Sequence, residues 1–317
     1  SANRECNSRH PLTTGMEVVL RLLGLLVLLL VGTGLRSTGV LTTRRTARLN
    51  TVAYYGALPA LVFTATYDRD IAALLTPGLF VGVVGVLGST AALAWLVNAR
   101  RGIPARRSVA TVQSYHSNLG YLGLPLVAAT FEAEVTAIAS VVLGIGSLTQ
   151  VPITVLVLVS TTGADTRFRS QLLELGKNPV LLALVAGIVV GSLGIGVAAP
   201  VVAVLDALAG LALPLALICV GATLQIDGGT LDWGATGSVI GLKLVVMPAL
   251  AWAAFSALDV GSATFTASIV MLGTPTAVST YVFASELGGD SEFASVNVFA
   301  TTVASLASLF VLIRLVS

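Results

Sequence analysis

Two apolar stretches of the chain are each interrupted by polar side chains together with glycine and proline. The residues are Asn118, Gly123 and Pro125 in the first stretch and Gly273, Thr274, Pro275, Thr276 and Ser279 in the second. Asparagine amides and serine or threonine hydroxyls can donate hydrogen bonds to a carboxylate without the desolvation cost of a full charge. We therefore interpret these residues as a site for a small anion, although such groups also hydrogen-bond between packed membrane helices.

The two prolines are expected to break the helices that contain them. A proline removes one amide donor and clashes with the preceding turn, and a neighbouring glycine lets the chain leave the helix. We predict that Pro125 and Pro275 each begin a second half-helix, whose positive N-terminal end favours an anion. Asn118 lies about two helical turns before Pro125, on the face that approaches the break. The alternative is that both prolines only kink packed helices.

Four further polar residues lie in apolar stretches, where an ionisable group indicates function by default. Lys243 could neutralise a carboxylate, titrate during transport, or pair with an acid such as Asp206. His116 has the chemistry for proton coupling, but it is equally explained as a neutral, hydrogen-bonded side chain. Gln150 and Asp206 are weaker candidates for the same coupling or charge-compensating roles.

The composition places the chain in a lipid bilayer. Of its 317 residues, 56% are hydrophobic and 10% are charged, and the mean hydropathy is +0.95. A soluble domain of this length does not have such a composition. The net charge of +2 gives no indication of a nucleic-acid partner.

Ten apolar segments are long enough to cross the bilayer as helices. Their predicted limits are 16–35, 47–66, 75–97, 108–130, 134–159, 179–197, 200–225, 234–257, 261–286 and 292–315. The polar segment 1–15 lacks the apolar region of a secretion signal, so we treat it as an N-terminal extension that need not be native. The predicted fold class is an all-α membrane protein of ten transmembrane helices.

Positive charge between the segments predicts the orientation. The loops after spans 1, 3 and 5 contain Arg36, Arg44, Arg45, Arg48, Arg100, Arg101, Arg106, Arg107, Arg167, Arg169 and Lys177. The opposite loops contain Arg69 among several acids. We therefore predict a multi-pass protein of the plasma (inner) membrane with both termini outside.

Short repeated motifs predict two related halves. An Ala-Leu-Pro motif occurs at 57–59 and 212–214, and a Leu-Gly-x-Pro motif at 122–125 and 272–275. Because each half has five spans, the halves would be inverted relative to each other. We assign 16–160 to the first repeat, 161–178 to a cytoplasmic linker and 179–317 to the second repeat, with breaks in spans 4 and 9.

Signatures of enzymes are absent from the sequence. There is no His-Glu-x-x-His motif, no Gly-x-Ser-x-Gly motif and no Walker A lysine. We expect no enzymatic activity, no cofactor and no bound metal ion.

Several motifs together resemble one family. They are Asn118 to Leu126, Lys177 to Pro179, Pro214 to Leu224, Lys243 to Pro248 and Gly273 to Gly289. In order and spacing they are similar to the auxin efflux carrier family, and the resemblance extends over nearly the whole chain from Met16.

The resemblance implies the fold of bile acid transporters and sodium/proton antiporters, commonly dimeric, with spans 4 and 9 crossing. It implies that an anionic carboxylate binds beside the crossover and contacts Asn118, with Pro125 and Pro275 at the crossover. It also implies an elevator-like carrier, in which the crossover spans move against a scaffold of spans 1, 2, 6 and 7. Prokaryotic members are linked to small carboxylates such as malate or malonate. The alternatives are a sodium-coupled organic-anion symporter of the bile acid type and, from another class, an anion channel or a membrane receptor.

Overall fold

The computed structural model describes residues 24, 26–70, 74–162, 168–223 and 232–317. The extension 1–15, most of the chain before residue 26 and residues 163–167 of the predicted linker lie outside the described residues. Within the described residues the regular structure is helical, and one isolated antiparallel bridge joins Ser117 to Thr276.

The helices follow one another with short connections. They are α1 (Leu26–Ser37), α2 (43–66), α3 (Pro77–Asn98), α4 (Pro104–Gln113), α5 (Leu119–Thr130), α6 (Ala133–Thr162), α7 (Phe168–Leu175), α8 (Pro179–Ser192), α9 (Ala199–Thr223), α10 (Trp233–Ala257), α11 (Ser262–Leu272), α12 (Ser279–Glu286) and α13 (Ser291–Val316). Five of them, α3, α6, α9, α10 and α13, are long and apolar enough to cross a membrane. The all-helical, apolar fold predicted from the sequence is therefore confirmed, whereas the ten-helix inverted repeat remains a prediction.

Polar residues fix where several helices begin. The side chains of Thr76, Asn178, Asp232 and Asp290 accept hydrogen bonds from first-turn amides of α3, α8, α10 and α13. Such caps satisfy donors that a helix leaves unpaired at its N-terminus. The apolar segments consequently start at defined positions, close to the limits expected from hydropathy.

Three prolines inside helices each follow a π-helical turn. The turns are Ala53–Ala57, Leu119–Gly123 and Leu242–Val246, and Pro59, Pro125 and Pro248 come two residues after them. Each turn ends with a hydrogen bond from an amide to the carbonyl five residues earlier. This wider turn relieves the clash between a proline ring and the carbonyl four residues before it. The helix that contains each of these three prolines therefore continues past it.

The prediction that Pro125 and Pro275 begin half-helices is wrong. The first break is residues 114–118, so α5 begins at Leu119 and contains Pro125 in its interior. The second break is residues 273–278, so Pro275 lies inside the break and α12 begins at Ser279. The π turn before Pro125 accommodates the ring, which removes the reason for a break at that point.

The helices pack in two groups around α6 and α2. In the first group α6 contacts α3, α4, α5 and α11, while α10 packs on α3 and α11, and α13 on α4, α10 and α12. In the second group α2 contacts α8 and α9, and the two groups meet where α2 contacts α6 and where α9 contacts α5. Glycines permit a close backbone approach of α1 and α9, where a side chain on Gly221 would overlap the carbonyl of Leu29. The first half of α9, Ala199–Gly210, contains no buried residue.

Candidate functional site

The two breaks pair with each other through their backbones. The Asn118 amide donates to the Pro275 carbonyl at 2.9 Å, and the Ala277 amide donates to the His116 carbonyl at 3.0 Å. Together with the bridge between Ser117 and Thr276, these bonds form a short antiparallel pair. The two bonds are equivalent: when residues 116, 117 and 118 are matched in order with 275, 276 and 277, each bond is converted into the other. Asn118 therefore corresponds to Ala277 in this pairing. Aligning the Leu-Gly-x-Pro motifs instead matches Pro125 with Pro275. Pro125 lies after the first break, inside α5, whereas Pro275 lies within the second break.

Gln150 on α6 supports the first break from the other side. The Ser117 amide donates to Gln150 Oε1 at 3.0 Å, and Gln150 Nε2 donates to the Ser117 carbonyl at 3.1 Å. Gln150 is buried, so these bonds satisfy backbone groups that have left the helix in an apolar environment. The side-chain amide thus takes the place of a neighbouring peptide group.

The residues before Ser117 are also fixed to α6. The Thr154 hydroxyl lies 3.0 Å from the Tyr115 hydroxyl and 2.8 Å from His116 Nδ1. All three side chains are buried. The sequence leaves His116 open between proton coupling and a hydrogen-bonded neutral role, and the structure adds its partner, Thr154.

Lys243 lies fully buried on α10, behind the paired breaks. Its ammonium donates to the Leu272 carbonyl at 2.9 Å and approaches Met247 Sδ at 3.3 Å. Asp206, the acid considered as its partner from sequence, is exposed on the first half of α9. Lys243 therefore bonds to a helix end instead of to that acid.

A cavity of about 420 Å³ reaches the paired breaks. Its lining includes His116, Ser117, Asn118, Leu119, Gly120, Gln150, Ala277, Val278 and Ser279. Of the residues predicted from sequence, the structure thus brings Asn118, Ser279, His116 and Gln150 together at one cavity.

The other residues predicted from sequence do not line this cavity. They are Gly123, Pro125, Gly273, Thr274, Pro275, Thr276, Lys243 and Asp206. Thr274 and Thr276 are fully buried and donate to the backbone carbonyls of Met271 and His116. Gly123 is packed so closely that an added Cβ would lie 2.9 Å from Met271 Sδ.

Sequence reasoning missed one wall of the cavity. Asn50 and Tyr54 on α2 line it together with Tyr121 on α5, and the rings of Tyr54 and Tyr121 stack at 6.5 Å between centroids. Asn50 also lines a second cavity of about 740 Å³, which includes Arg36. The signal for Asn50 is present in the sequence, because it is an amide within the predicted span 47–66, as Asn118 is within span 4.

The charges around the smaller cavity are acidic. Glu174 and Glu286 belong to its lining, and the described part of this lining contains neither lysine nor arginine. Among the residues that the structure describes, no group of three or more His, Cys, Asp or Glu side chains could hold a metal ion. Within this described lining, the groups that can bind an anion are neutral hydrogen-bond donors and helix ends.

Comparison with known proteins gives one family and two relatives. The model of the family described as "Membrane transport protein" matches residues 17–313. A protein of Methanothermobacter thermautotrophicus named "Uncharacterized transporter" is 28% identical over 295 residues, which cover 90% of this chain and 94% of the relative. A protein of Rhizobium meliloti named "Putative malonate transporter" is 26% identical over 277 residues, which cover 84% of this chain and 86% of the relative.

Proposed function

We propose that the chain, which belongs to the membrane transport protein family of the auxin efflux carriers, carries a small organic carboxylate across the membrane by alternating access. The family predicted from the sequence motifs is confirmed by the match over residues 17–313. Membership of a transporter family agrees with an apolar, helical chain whose sequence contains no enzyme signature.

One observation carries the proposal of an anionic cargo. The cavity ends at the paired breaks, where α5 begins at Leu119 and α12 begins at Ser279, and the first residues of both helices line it. Helix N-termini have a partial positive charge, and it is this charge that matters here, because the amides of Leu119, Thr280 and Tyr281 already donate to the carbonyls of Ser117, Ala277 and Val278. The side-chain amide of Asn118 and the hydroxyl of Ser279 add hydrogen-bond donors at the same place. These groups suit a carboxylate bound without a direct salt bridge.

The size of the cavity and the named relative favour a small cargo. A volume of about 420 Å³ lies near the lower end of the range for small-molecule sites. The relative from Rhizobium meliloti is named as a malonate transporter. We therefore assign the cargo to the class of small carboxylates such as malonate or malate, either exported or exchanged.

The paired breaks are proposed as the crossover of two inverted five-helix halves, 16–160 and 179–317. The packing supports a mobile unit of α3 to α6 and α10 to α13, which would move against a scaffold of α1, α2, α8 and α9. The cavity is lined by Asn50, Glu174, Asn178 and Glu286. In the predicted orientation these four residues lie at the cytoplasmic ends of spans or in the cytoplasmic linker. In that orientation, in the plasma membrane with external termini, the cavity faces inward. The unburied half of α9 is a surface on which a homodimer could form.

Transport in proteoliposomes tests the proposal. Liposomes that contain the purified protein and are loaded with unlabelled malonate should take up labelled malonate. The rate of uptake should saturate with the external malonate concentration and depend on the internal anion. Flux that increases without saturation, together with steady conductance, would instead support an anion channel. Loss of exchange when choline replaces sodium would support the sodium-coupled symporter. If no carboxylate of a mono-, di- and aromatic-acid panel is exchanged, the proposed function is wrong.

A further inference from the structure

Lys243 is a fully buried charged side chain within the apolar part of the described structure. Its side chain is 0% exposed, and it extends from the π turn Leu242–Val246 of α10. The ammonium donates to the Leu272 carbonyl at 2.9 Å. Leu272 is the last residue of α11, so its carbonyl belongs to the end of the helix that has partial negative charge.

No carboxylate balances this ammonium within the parts of the chain that the structure describes. The ion pairs found there join Arg69 to Asp68 and Arg106 to Asp232 and Asp290. A full charge at this depth is costly unless it is compensated. The end of α11 provides only part of that compensation, which leaves an excess of positive charge close to the breaks.

The Leu272 carbonyl connects Lys243 to the first break. It also accepts a hydrogen bond from Ser117 Oγ, at 3.4 Å. Ser117 and its neighbour Asn118 line the smaller cavity, whereas Lys243 does not. The ammonium therefore lies one hydrogen-bonded group behind the wall at which the cargo would bind.

We propose that Lys243 supplies positive charge to the anion site from behind the paired breaks, through the Leu272 carbonyl that it shares with Ser117. The inference rests on the proposed function, because it concerns the same cavity. An ammonium held at a helix-end carbonyl attracts an anion through a layer of buried residues, where the interaction between the two charges is screened less than in water. The Leu272 carbonyl accepts hydrogen bonds from both Lys243 and Ser117, which uses both of its lone pairs, so we expect no sodium ion to bind at this oxygen. Lys243 is thus a positioning residue for charge and does not contact the cargo.

The test compares two cargoes that differ by one charge. Binding of malonate and of its half-amide, malonamate, is measured for the wild type, for Lys243→Met and for Lys243→Arg. Methionine keeps the unbranched side chain and removes the charge, while arginine retains the charge. We expect Lys243→Met to weaken malonate binding on the order of tenfold more than malonamate binding, the size expected for losing one interaction between unit charges at an effective dielectric constant of about 20. Lys243→Arg should keep most of the wild-type ratio.

An equal loss for both cargoes in Lys243→Met would mean that Lys243 only supports the fold, and the inference would be overturned. If that variant does not fold, the wild type still decides the second half of the proposal. Its thermal unfolding midpoint should be the same in sodium chloride and in choline chloride without any cargo. Stabilisation by sodium would contradict the inference even if malonate is bound. Failure of the wild type to bind any carboxylate would contradict the proposed function, and the sodium comparison would remain informative.

Discussion

Gln150 and Ser117 form a reciprocal pair of hydrogen bonds at the centre of the molecule. The Ser117 amide donates to the Gln150 side-chain oxygen at 3.0 Å, and the Gln150 nitrogen donates to the Ser117 carbonyl at 3.1 Å. On its other side Ser117 forms the bridge with Thr276. The break in the first apolar stretch is therefore held between a neighbouring break and a side chain of α6. This arrangement fixes the backbone from which Asn118 reaches the cavity.

Gln150→Leu should loosen the break while still filling the site. Leucine offers neither an acceptor to the Ser117 amide nor a donor to the Ser117 carbonyl, and a buried polar group without a partner costs about 1–3 kcal/mol. We expect a lower thermal unfolding midpoint and faster amide hydrogen exchange in a peptide that contains Ser117. Thr149→Ala, which removes only a hydrogen bond within α6, is the matched control. Unchanged exchange in Gln150→Leu would show that the pairing with Thr276 suffices.

Asn118→Ala should abolish most of the carboxylate binding while the protein still folds. The backbone bond from Asn118 to Pro275 does not need the side chain, so the paired breaks stay in place. A hydrogen bond to a charged group contributes about 1.5–3 kcal/mol, which predicts at least a tenfold weaker affinity by thermal shift or solid-supported membrane recording. Asn98→Ala serves as the contrast, because Asn98 is a buried amide bonded to Arg101. That variant should lose stability and keep its affinity, and the reverse pattern would move the site away from Asn118.

Gly221→Ala should destabilise the contact between α1 and α9. The added methyl group would overlap the Leu29 carbonyl, and backbone atoms cannot move aside as a flexible side chain can. Overpacking of this kind costs about 1–3 kcal/mol. Gly85→Ala in α3, where an added Cβ meets nothing within 4 Å, should leave the thermal midpoint unchanged or raise it. Equal midpoints for the two variants would contradict the close approach.

Asp232 should make stability depend on pH at the start of α10. The Ala235 amide donates to its carboxylate, and together with nearby Arg101 and Arg106 this holds the pKa of Asp232 below its ordinary value of 3.8. A lowered pKa in the folded state stabilises the protein above pH 3.8, and this contribution is lost as the pH falls through the folded-state pKa. Asp232→Ala should therefore lower the free energy of unfolding at pH 7 by about 1 kcal/mol for a lost cap, and the thermal midpoint with it. The difference from the wild type should shrink below pH 3.8. Thr76→Ala, which removes a helix cap that has no titratable group, should show no such convergence.

The limits of the apolar helices were predictable because hydropathy and polar caps act locally. Thr76, Asn178, Asp232 and Asp290 stop the apolar stretches in sequence and cap the helices in the structure. The prolines were harder to interpret from sequence. A π turn and a break both accommodate a proline, and only the neighbouring helices decide which one forms, as Pro125 and Pro275 demonstrate.

The sequence by itself determined that the chain is helical and apolar, which family it belongs to, and that polar groups interrupt two of its apolar stretches. Tertiary structure alone decided what those polar groups contact. Asn118, Gln150 and Ser279 come from distant parts of the chain, and they meet because the two breaks satisfy each other's backbone groups in an apolar interior. It also decided that Lys243 bonds to a helix end and that Asp206 remains exposed. Spacing along the chain reports which face of a helix a residue occupies, but the partner of a buried charge depends on how the helices pack.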